Sequence, residues 1–408
     1  MKSSDYPMIS VAEAWRRIEA QLRPLPPTPH ILAGAAGLVL AADVVAAEDI
    51  PPVPTATMDG YAVVAGDAQP TRTILAQQAA GSADAPPVTP GTAVRIMTGA
   101  PLPAGADAVI PFEETTETDG MVTVAGSVSP GLNLRPPASD IGAGQTVLAA
   151  GSRIGPPEIG LLASLGQTTV MVHPRPLVAI LSTGEELVPP EVTPASGQIR
   201  DSNSLALAAA VTEAGCTALP LGTVPDREPA LRSAILDGLA RADGLLTSGG
   251  VSMGVKDLVK PLLAELGTVH FGRVAQKPGK PLTFASVGGK PVFGLPGFPV
   301  SSLVCFENLV RPALRLLAGH IALWRPEVPV RLTHDIRRDR ERLEFVRATV
   351  DAIDGVLWAT PTGAQASSRL ASLVGSDALL RVEAGPDYAY AGDEVIAILT
   401  NRPERASR

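Results

Sequence analysis

The 408-residue chain is short of several things, and each shortage excludes something. It has two cysteines, Cys216 and Cys305, and no CxxC pair, so no disulfide framework can be built. Both lie in apolar surroundings and read as small buried hydrophobes. Its five histidines, His30, His173, His270, His320 and His334, show no HxxxH or HExxH spacing, which excludes a histidine-based zinc site. Aromatics are 3%, too few for the stacking platforms of single-stranded nucleic-acid binders. There is no basic excess: 33 Lys+Arg against 41 Asp+Glu give a net charge of −8. Such a chain is a poor binder of nucleic acid or anionic membranes, although one local basic site for a small anion stays open. No run reaches the roughly 18–20 apolar residues of a membrane span. The longest candidate, Ala33–Ala47, is broken by Gly34, Gly37 and Asp43. The beginning of the chain has no signal-peptide core. The pair Arg16-Arg17 is followed by Ile18-Glu19-Ala20-Gln21, a polar helix rather than a secretion signal. The expected location is the cytoplasm. Walker A and strand-following GxGxxG motifs are both missing, so P-loop ATPase and Rossmann dehydrogenase readings have no support.

What is abundant is glycine (39) and proline (40), in a chain that is 45% hydrophobic and 18% charged. That rules out wholesale disorder and points to real cores with many ordered turns, in two to four domains at roughly 100–200 residues each. Residues 10–23 read as an amphipathic helix with Ser10 as N-cap, and Val11, Trp15, Ile18 and Leu22 on one stripe. From 50 to about 175, short runs punctuated by Gly, Pro and Asp predict strands: Tyr61–Val64, Thr71–Leu75, Ala93–Met97, Ala108–Pro111, Met121–Val124 and Thr146–Leu148. Here Asp59-Gly60 reads by default as a hairpin turn. The stiff loop after Arg95-Ile96-Met97 reads equally as a ligand surface or a connector.

After His173-Pro174-Arg175-Pro176, strands alternate with helices: Leu177–Leu181, helix Asn203–Ala214, Ala218–Leu221, helix Glu228–Arg241, Gly244–Thr247, helix Lys256–Glu265. Strands Thr268–Val274, Leu282–Ala285 and Val292–Gly294 and a long helix Val300–Leu317 follow. This predicts a mostly parallel sheet covered on both faces. From Arg325-Pro326 the pattern reverts to strands, Val328–Leu332, Glu344–Val350, Val356–Ala359, Ala378–Val382 and Glu394–Leu399, with Asp354-Gly355 as a two-residue hairpin turn. Asn401–Arg408 reads as a basic tail.

The chemistry-bearing segments of the α/β region each follow a strand. They are Ser182-Thr183-Gly184-Glu185-Glu186, Gly222–Asp226, Ser248-Gly249-Gly250-Val251-Ser252-Met253-Gly254 with Asp257 beyond, and Leu295-Pro296-Gly297-Phe298-Pro299-Val300-Ser301. Ligands of open parallel sheets bind outside the carboxyl ends of the strands, so these four loops are expected to converge on one crevice. Gly249-Gly250 lets backbone amides approach a phosphate, and Ser252 and Ser301 add hydroxyls. Glu186, Asp226 and Asp257 are hard oxygen ligands suited to Mg²⁺. Lys277-Pro278-Gly279-Lys280-Pro281 adds two cations. Taken singly, each is a turn, a helix-capping acid or an exposed loop. Together they predict a site for a phosphorylated ligand, a divalent cation and a second anion.

Seven ordered motifs carry a family resemblance. They are Pro51-Pro52 with Met58-Asp59-Gly60-Tyr61-Ala62-Val63, Arg95–Pro101, Ser182–Leu187, Ile199–Asn203, Ser248–Gly254, Lys277–Pro281 and Gly294–Ser301. Over nearly its whole length the chain resembles the molybdopterin molybdenumtransferases of the MoeA and gephyrin E-domain type. The resemblance implies a multidomain α/β plus β protein. An elongated N-terminal linking domain (1–50 and 141–175) would carry an inserted β-rich domain (51–140). A three-layer α/β/α molybdopterin-binding domain (176–325) and a small C-terminal β-barrel-like domain (326–408) would follow.

The resemblance also implies a homodimer with clefts between subunits, and Mg²⁺-dependent insertion of molybdate into the dithiolene of adenylylated molybdopterin, with release of AMP. A molybdopterin adenylyltransferase that hands over substrate is compatible with it. Residue by residue, Asp59, Thr98, Asp140, Glu186, Asp226 and Asp257 match functional positions. Ser182, Thr183, Gly184, Ser248, Gly249, Gly250, Ser252, Lys277, Lys280, Pro281, Pro296, Pro299 and Ser301 match substrate-binding ones. Lys277, Lys280, Arg347 and Ser368 match positions that help hold molybdate. Asp59, Thr98 and Asp140 would face the cleft of the other subunit. Three departures stand out: Phe298 where the family usually has Asn, Ala138-Ser139 where it usually has Gly-Glu, and Glu185 where it has Asp. They leave open a non-catalytic pterin-binding or scaffold paralogue, and a hydrolase of another pyrophosphate-linked nucleotide.

Overall fold

The computed structural model describes residues 6–250 and 258–400. It divides into two compact units. One comprises the chain up to Ala41, Gly151–Gly155 and everything from Thr169 on; the other comprises Ala42–Ala150 and Pro156–Thr168.

The second unit is built on a six-stranded sheet. Gly60–Val63 lies between Ala108–Pro111 and Thr92–Ile96, and Thr71–Gln78, Met121–Val124 and Thr115–Thr118 continue it outward. Two small apolar clusters cover its faces, around Tyr61, Val63 and Ile110 and around Ala62, Val94 and Ile96. Asp59-Gly60 is not the hairpin turn that its dipeptide suggests. Gly60 sits inside a strand, where an added Cβ would come within 2.0 Å of the Ile110 carbonyl oxygen. Close approach of a neighbouring backbone, not turn conformation, requires glycine there.

In the first unit, the helix Val11–Gln21 is capped by Ser10, whose hydroxyl accepts from the Glu13 amide. The α/β region holds a six-stranded sheet in the order Thr217–Val224, Leu177–Thr183, Gly244–Ser248, Lys290–Leu295, Thr283–Val287, Thr268–Phe271. The first four strands are parallel; the last two are antiparallel and form an edge, because Thr283–Val287 and Lys290–Leu295 are joined by the tight turn Gly288-Gly289. Alternation along Leu177–Thr183 serves both faces. Val178 and Ile180 pack towards the helix Asn203–Glu213 and the Pro299–Leu317 segment. Ala179 and Leu181 pack towards Glu228–Arg241 and Val259–Leu266.

The predicted long helix Val300–Leu317 is instead two α-helical pieces, Pro299–Cys305 and Arg311–Leu317, joined by a π-turn over Phe306–Val310. Pro312 has no amide hydrogen to donate to the preceding turn, and the backbone widens there. The C-terminal strands close into a five-stranded barrel: Leu343–Ile353, Val356–Pro361, Glu327–Leu332, Glu394–Leu399 and Ala378–Val382, the last pairing back onto the first. Its interior is Val330, Leu332, Val346, Ala348, Leu380 and Ala397. Asp354 and Gly355 both have positive φ (50° and 79°), as a primed hairpin turn needs. A two-residue strand, Gln276–Lys277, leaves the α/β region and pairs in parallel with Leu343–Glu344 of the barrel.

Candidate active site

The chain runs from Leu177–Thr183 outward to Thr217–Val224, then crosses back to Gly244–Ser248 on the other side. The loops leaving the two neighbouring central strands therefore diverge and open a crevice at the strand ends. A cleft of about 950 Å³ lies there. The four expected loops do converge on it: Thr183 and Glu186 from the first, Asp226 from the second, Ser248, Gly249 and Gly250 from the third, Pro296 to Pro299 and Ser301 from the fourth. Lys277, Lys280 and Pro281 line it as well, and a barrel loop contributes Gln365, Ser367 and Ser368. That loop is tied to the fourth segment where the Val300 amide donates to the Ser367 carbonyl over 3.2 Å.

The floor is made by glycine. Gly249 (φ 94°) and Gly250 (φ 63°) turn the backbone through a region that side chains avoid. A Cβ on Gly249 would lie 2.5 Å from the Thr183 carbonyl oxygen. Two adjacent strand-end loops thus come together too closely for a side chain, and the Gly249 amide donates to the Leu295 carbonyl over 3.1 Å, tying in the end of a third strand. Beside them the Thr183 hydroxyl donates to the Asp226 carboxylate. Glu186 folds back over its own turn, its carboxylate oxygens 2.9 Å from where a Gly184 side chain would start.

Among the described residues, no three His, Cys, Asp or Glu groups converge as a ready-made metal cage. Three described carboxylates line the cleft; Asp201 is taken up by the Ser204 amide and the Thr223 hydroxyl, which leaves Glu186, Asp226 and the Thr183 hydroxyl as an all-oxygen donor set. This fits Mg²⁺, which keeps several waters and takes one or two carboxylates plus substrate phosphate oxygens. Asp257 and Ser252 lie outside the described residues.

The cations are arranged unequally. Lys277 lies 3.1 Å from the buried carboxylate of Glu344, the barrel residue opposite it in the short parallel pairing. Lys280 has no ion-pair partner among the described residues. Arg347, matched by resemblance to an oxyanion position, does not line the cleft. It is 1% exposed, bonded through Nε to Ser372 Oγ and through its guanidinium to the Ala366 carbonyl, behind the loop that carries Ser367 and Ser368. Burial lowers its pKa from the ordinary arginine value. Ser182 is buried beneath the floor, and its hydroxyl has no hydrogen-bond partner among the described residues.

Asn203 acts at the cleft in a way that residue-by-residue reasoning did not assign. Its amide donates to Ser248 Oγ and to the Gly297 carbonyl, both over 2.8 Å, pinning two of the four loops together. The Ile199–Asn203 motif was the available signal. Gln365 had none, whereas Ser367 adjoins Ser368 in the segment Ser367–Leu370 that carries the resemblance. Phe298 is 60% exposed and is the single aromatic among the described lining residues.

In the other unit, Asp59 and Thr98 are brought together. The Asp59 carboxylate accepts from the Thr98 amide and hydroxyl, each over 2.7 Å, and these bonds lower its pKa below the usual carboxylate value, the amide bond most. Asp140 is exposed and pairs with Arg135 over 3.2 Å.

The cleft thus belongs to an α/β domain with its loops gathered at the strand ends, walled on one side by a loop of the C-terminal barrel. Residues 9–166 match the MoeA N-terminal region (domain I and II), 179–316 a probable molybdopterin binding domain, and 329–400 the MoeA C-terminal region (domain IV). The molybdopterin molybdenumtransferase 2 of Mycobacterium tuberculosis is 39% identical over 389 residues, covering 92% of this chain and 95% of that protein. The molybdopterin molybdenumtransferase of Haemophilus influenzae is 34% identical over 367 residues, covering 88% and 91%. A crystal structure of the molybdopterin biosynthesis MoeA protein from Pyrococcus horikoshii superposes with a TM-score of 0.85 at 30% identity, covering 97% of this chain and 100% of that one. The chain belongs to the MoeA family of molybdopterin molybdenumtransferases, the transferases of molybdenum cofactor biosynthesis.

Proposed function

We propose that this chain inserts molybdate into the dithiolene of adenylylated molybdopterin, with Mg²⁺-dependent hydrolysis of the adenylate. The phosphoanhydride bond between the two phosphates breaks with one water consumed and AMP released, and as two Mo–S bonds form molybdate gives up one oxo group, which leaves as water with the two thiol protons. The observation that carries the reading is the cleft itself, which gathers carboxylates, hydroxyls, two lysines and the strand-end glycines in one lining. Phosphoanhydride cleavage needs charge neutralisation and positioning more than covalent chemistry, and no separate nucleophile is required of the protein. Glu186 and Asp226 are the described residues to hold Mg²⁺, which when bound supplies neutralisation at phosphate oxygens. Lys277 and Lys280 attract the oxyanion that a chain of net charge −8 otherwise repels. Gly250 presents its amide to the ligand's phosphate, whereas the Gly249 amide is given to the Leu295 carbonyl over 3.1 Å. Arg347 acts from behind, holding the loop of Ser367 and Ser368.

The reading extends to a cytoplasmic homodimer of four-domain subunits, with domain limits near residues 50, 140, 175 and 325. Asp59, Thr98 and Asp140 would serve the other subunit's cleft, and a molybdopterin adenylyltransferase would deliver substrate. Among the described residues no helix is long and apolar enough to cross a membrane, which is compatible with it.

Incubating purified protein with adenylylated molybdopterin, Mg²⁺ and molybdate is expected to release AMP. No release above a protein-free control overturns the proposal. Phe298 favours one second reading, a pterin-binding paralogue without turnover. Tight pterin binding with no AMP release, also in Phe298→Asn, would establish that instead.

A further inference from the structure

A second, smaller concavity of about 560 Å³ borders the cleft, sharing Lys277, Lys280 and Arg342 with it. Its far wall is the barrel segment Arg337-Arg338-Asp339-Arg340-Glu341-Arg342. The pairing of Gln276–Lys277 with Leu343–Glu344 brings this segment here, because it places residues 337–342 immediately before the barrel residues that flank the lysines. The segment is ordered from within. Asp339 accepts from the amides of Glu341 and Arg342 over 3.1 Å and from the Arg342 guanidinium over 2.6 Å.

The charges around this groove do not cancel. Of its six cations, Lys277 is neutralised by Glu344 and Arg342 by Asp339. Lys280, Arg337, Arg338 and Arg340 have no ion-pair partner among the described residues, and only Glu341 remains to oppose them. Arg338 Nε is moreover buried without a hydrogen-bond partner. Three arginines without ion-pair partners thus line one concavity in a chain that is acidic overall. A concave wall of guanidinium groups suits a tetrahedral oxyanion that accepts paired hydrogen bonds.

We propose that this groove is an anion site adjoining the cleft and distinguished from it by Arg337, Arg338 and Arg340, which takes a tetrahedral dianion, either a free oxyanion or the phosphate monoester of a mononucleotide. The assignment does not depend on the reaction proposed for the cleft. Isothermal titration tests it on the full chain with inorganic phosphate, molybdate, AMP and, as a base-only control, adenosine. The variants are Arg337→Ala/Arg340→Ala and its charge-keeping counterpart Arg337→Lys/Arg340→Lys.

Saturable binding of a dianion that weakens with added salt, drops about tenfold or more in the alanine variant and is largely kept in the lysine variant supports the site. Both side chains are exposed, so the variants should melt like the parent. Binding by phosphate or molybdate identifies a free oxyanion as occupant, and binding by AMP alone identifies the ester. The proposal is overturned if no dianion binds at about 10 mM. It is also overturned if the alanine variant binds as the parent does, or if adenosine binds as well as AMP.

Discussion

The Asp59–Thr98 pair and the strand-end cleft both expose carboxylates, but in opposite states. Asp59 is satisfied within its own unit, by one amide and one hydroxyl of a single neighbour. The cleft is assembled from four strand ends and a barrel loop, and it leaves charge and hydrogen-bonding capacity unspent: Lys280 is unpaired and the buried Ser182 hydroxyl has no partner among the described residues. The first arrangement is two residues that need only a strand and a turn. The second exists only when the whole sheet is in register and the barrel is docked. Chemistry that must be complete before ligand arrives can be local, whereas chemistry that the ligand completes has to be built from distant parts.

Substitutions can break that contrast, and the largest effects belong to the cleft. Asp226→Ala and Glu186→Ala are each expected to lower AMP release by about 10²-fold or more, with melting little changed, in a coupled AMP assay. If Asp59→Ala leaves AMP release intact while the cleft variants abolish it, the Asp59–Thr98 pair serves only the local fold of its unit. Gly249→Ala forces a Cβ against the Thr183 carbonyl at an unfavourable φ. It should cost about 1–3 kcal/mol in urea unfolding and weaken ligand binding along with it.

Acid should separate the two units next. His320 is buried beside Arg315, Arg153 and Arg311; burial first and these charges second push its pKa down to about 4 from 6.5. Between those values the unfolded chain takes up a proton that the folded chain does not, so stability rises with pH through that window. His320→Gln should flatten that slope in melting curves recorded across it, whereas the Asp59 pair, whose carboxyl is held below its ordinary value, acts mainly at more acid pH. The smallest effect is Thr98→Val, which removes one of the two bonds holding the Asp59 pKa down. Carboxyl NMR should show that pKa rising part of the way to the ordinary value, since the amide bond stays.

How much was legible in the sequence follows the same division. Alternating strands and helices with Gly-rich loops after each strand announced both the sheet and the convergence of Thr183, Glu186, Asp226 and Gly249, because strand direction alone fixes where such loops end. Glu228–Arg241 and Asp354-Gly355 were readable because their signals are local. Asp59-Gly60 misled because a dipeptide cannot reveal that Ile110 passes 2.0 Å from the missing side chain. The antiparallel edge and the π-turn depend on a short connection and on Pro312 inside an otherwise helical run. Arg347 was found as a residue but its place, behind the loop rather than on the cleft wall, is set by barrel packing that no motif encodes. The arginine groove was passed over because its cations become neighbours of Lys280 only through the Gln276–Lys277 pairing.

That two-residue pairing has a further consequence for anyone dissecting the molecule. Severing the chain near residue 325 would not simply discard a barrel. It would strand Lys277 without Glu344, remove Ser367 from the Val300 amide, and leave an open edge where Leu343 and Glu344 had been. The α/β portion and the barrel are thus not interchangeable parts that could be shuffled with other proteins one at a time. Any transplant of the cleft has to take both sides of the seam together.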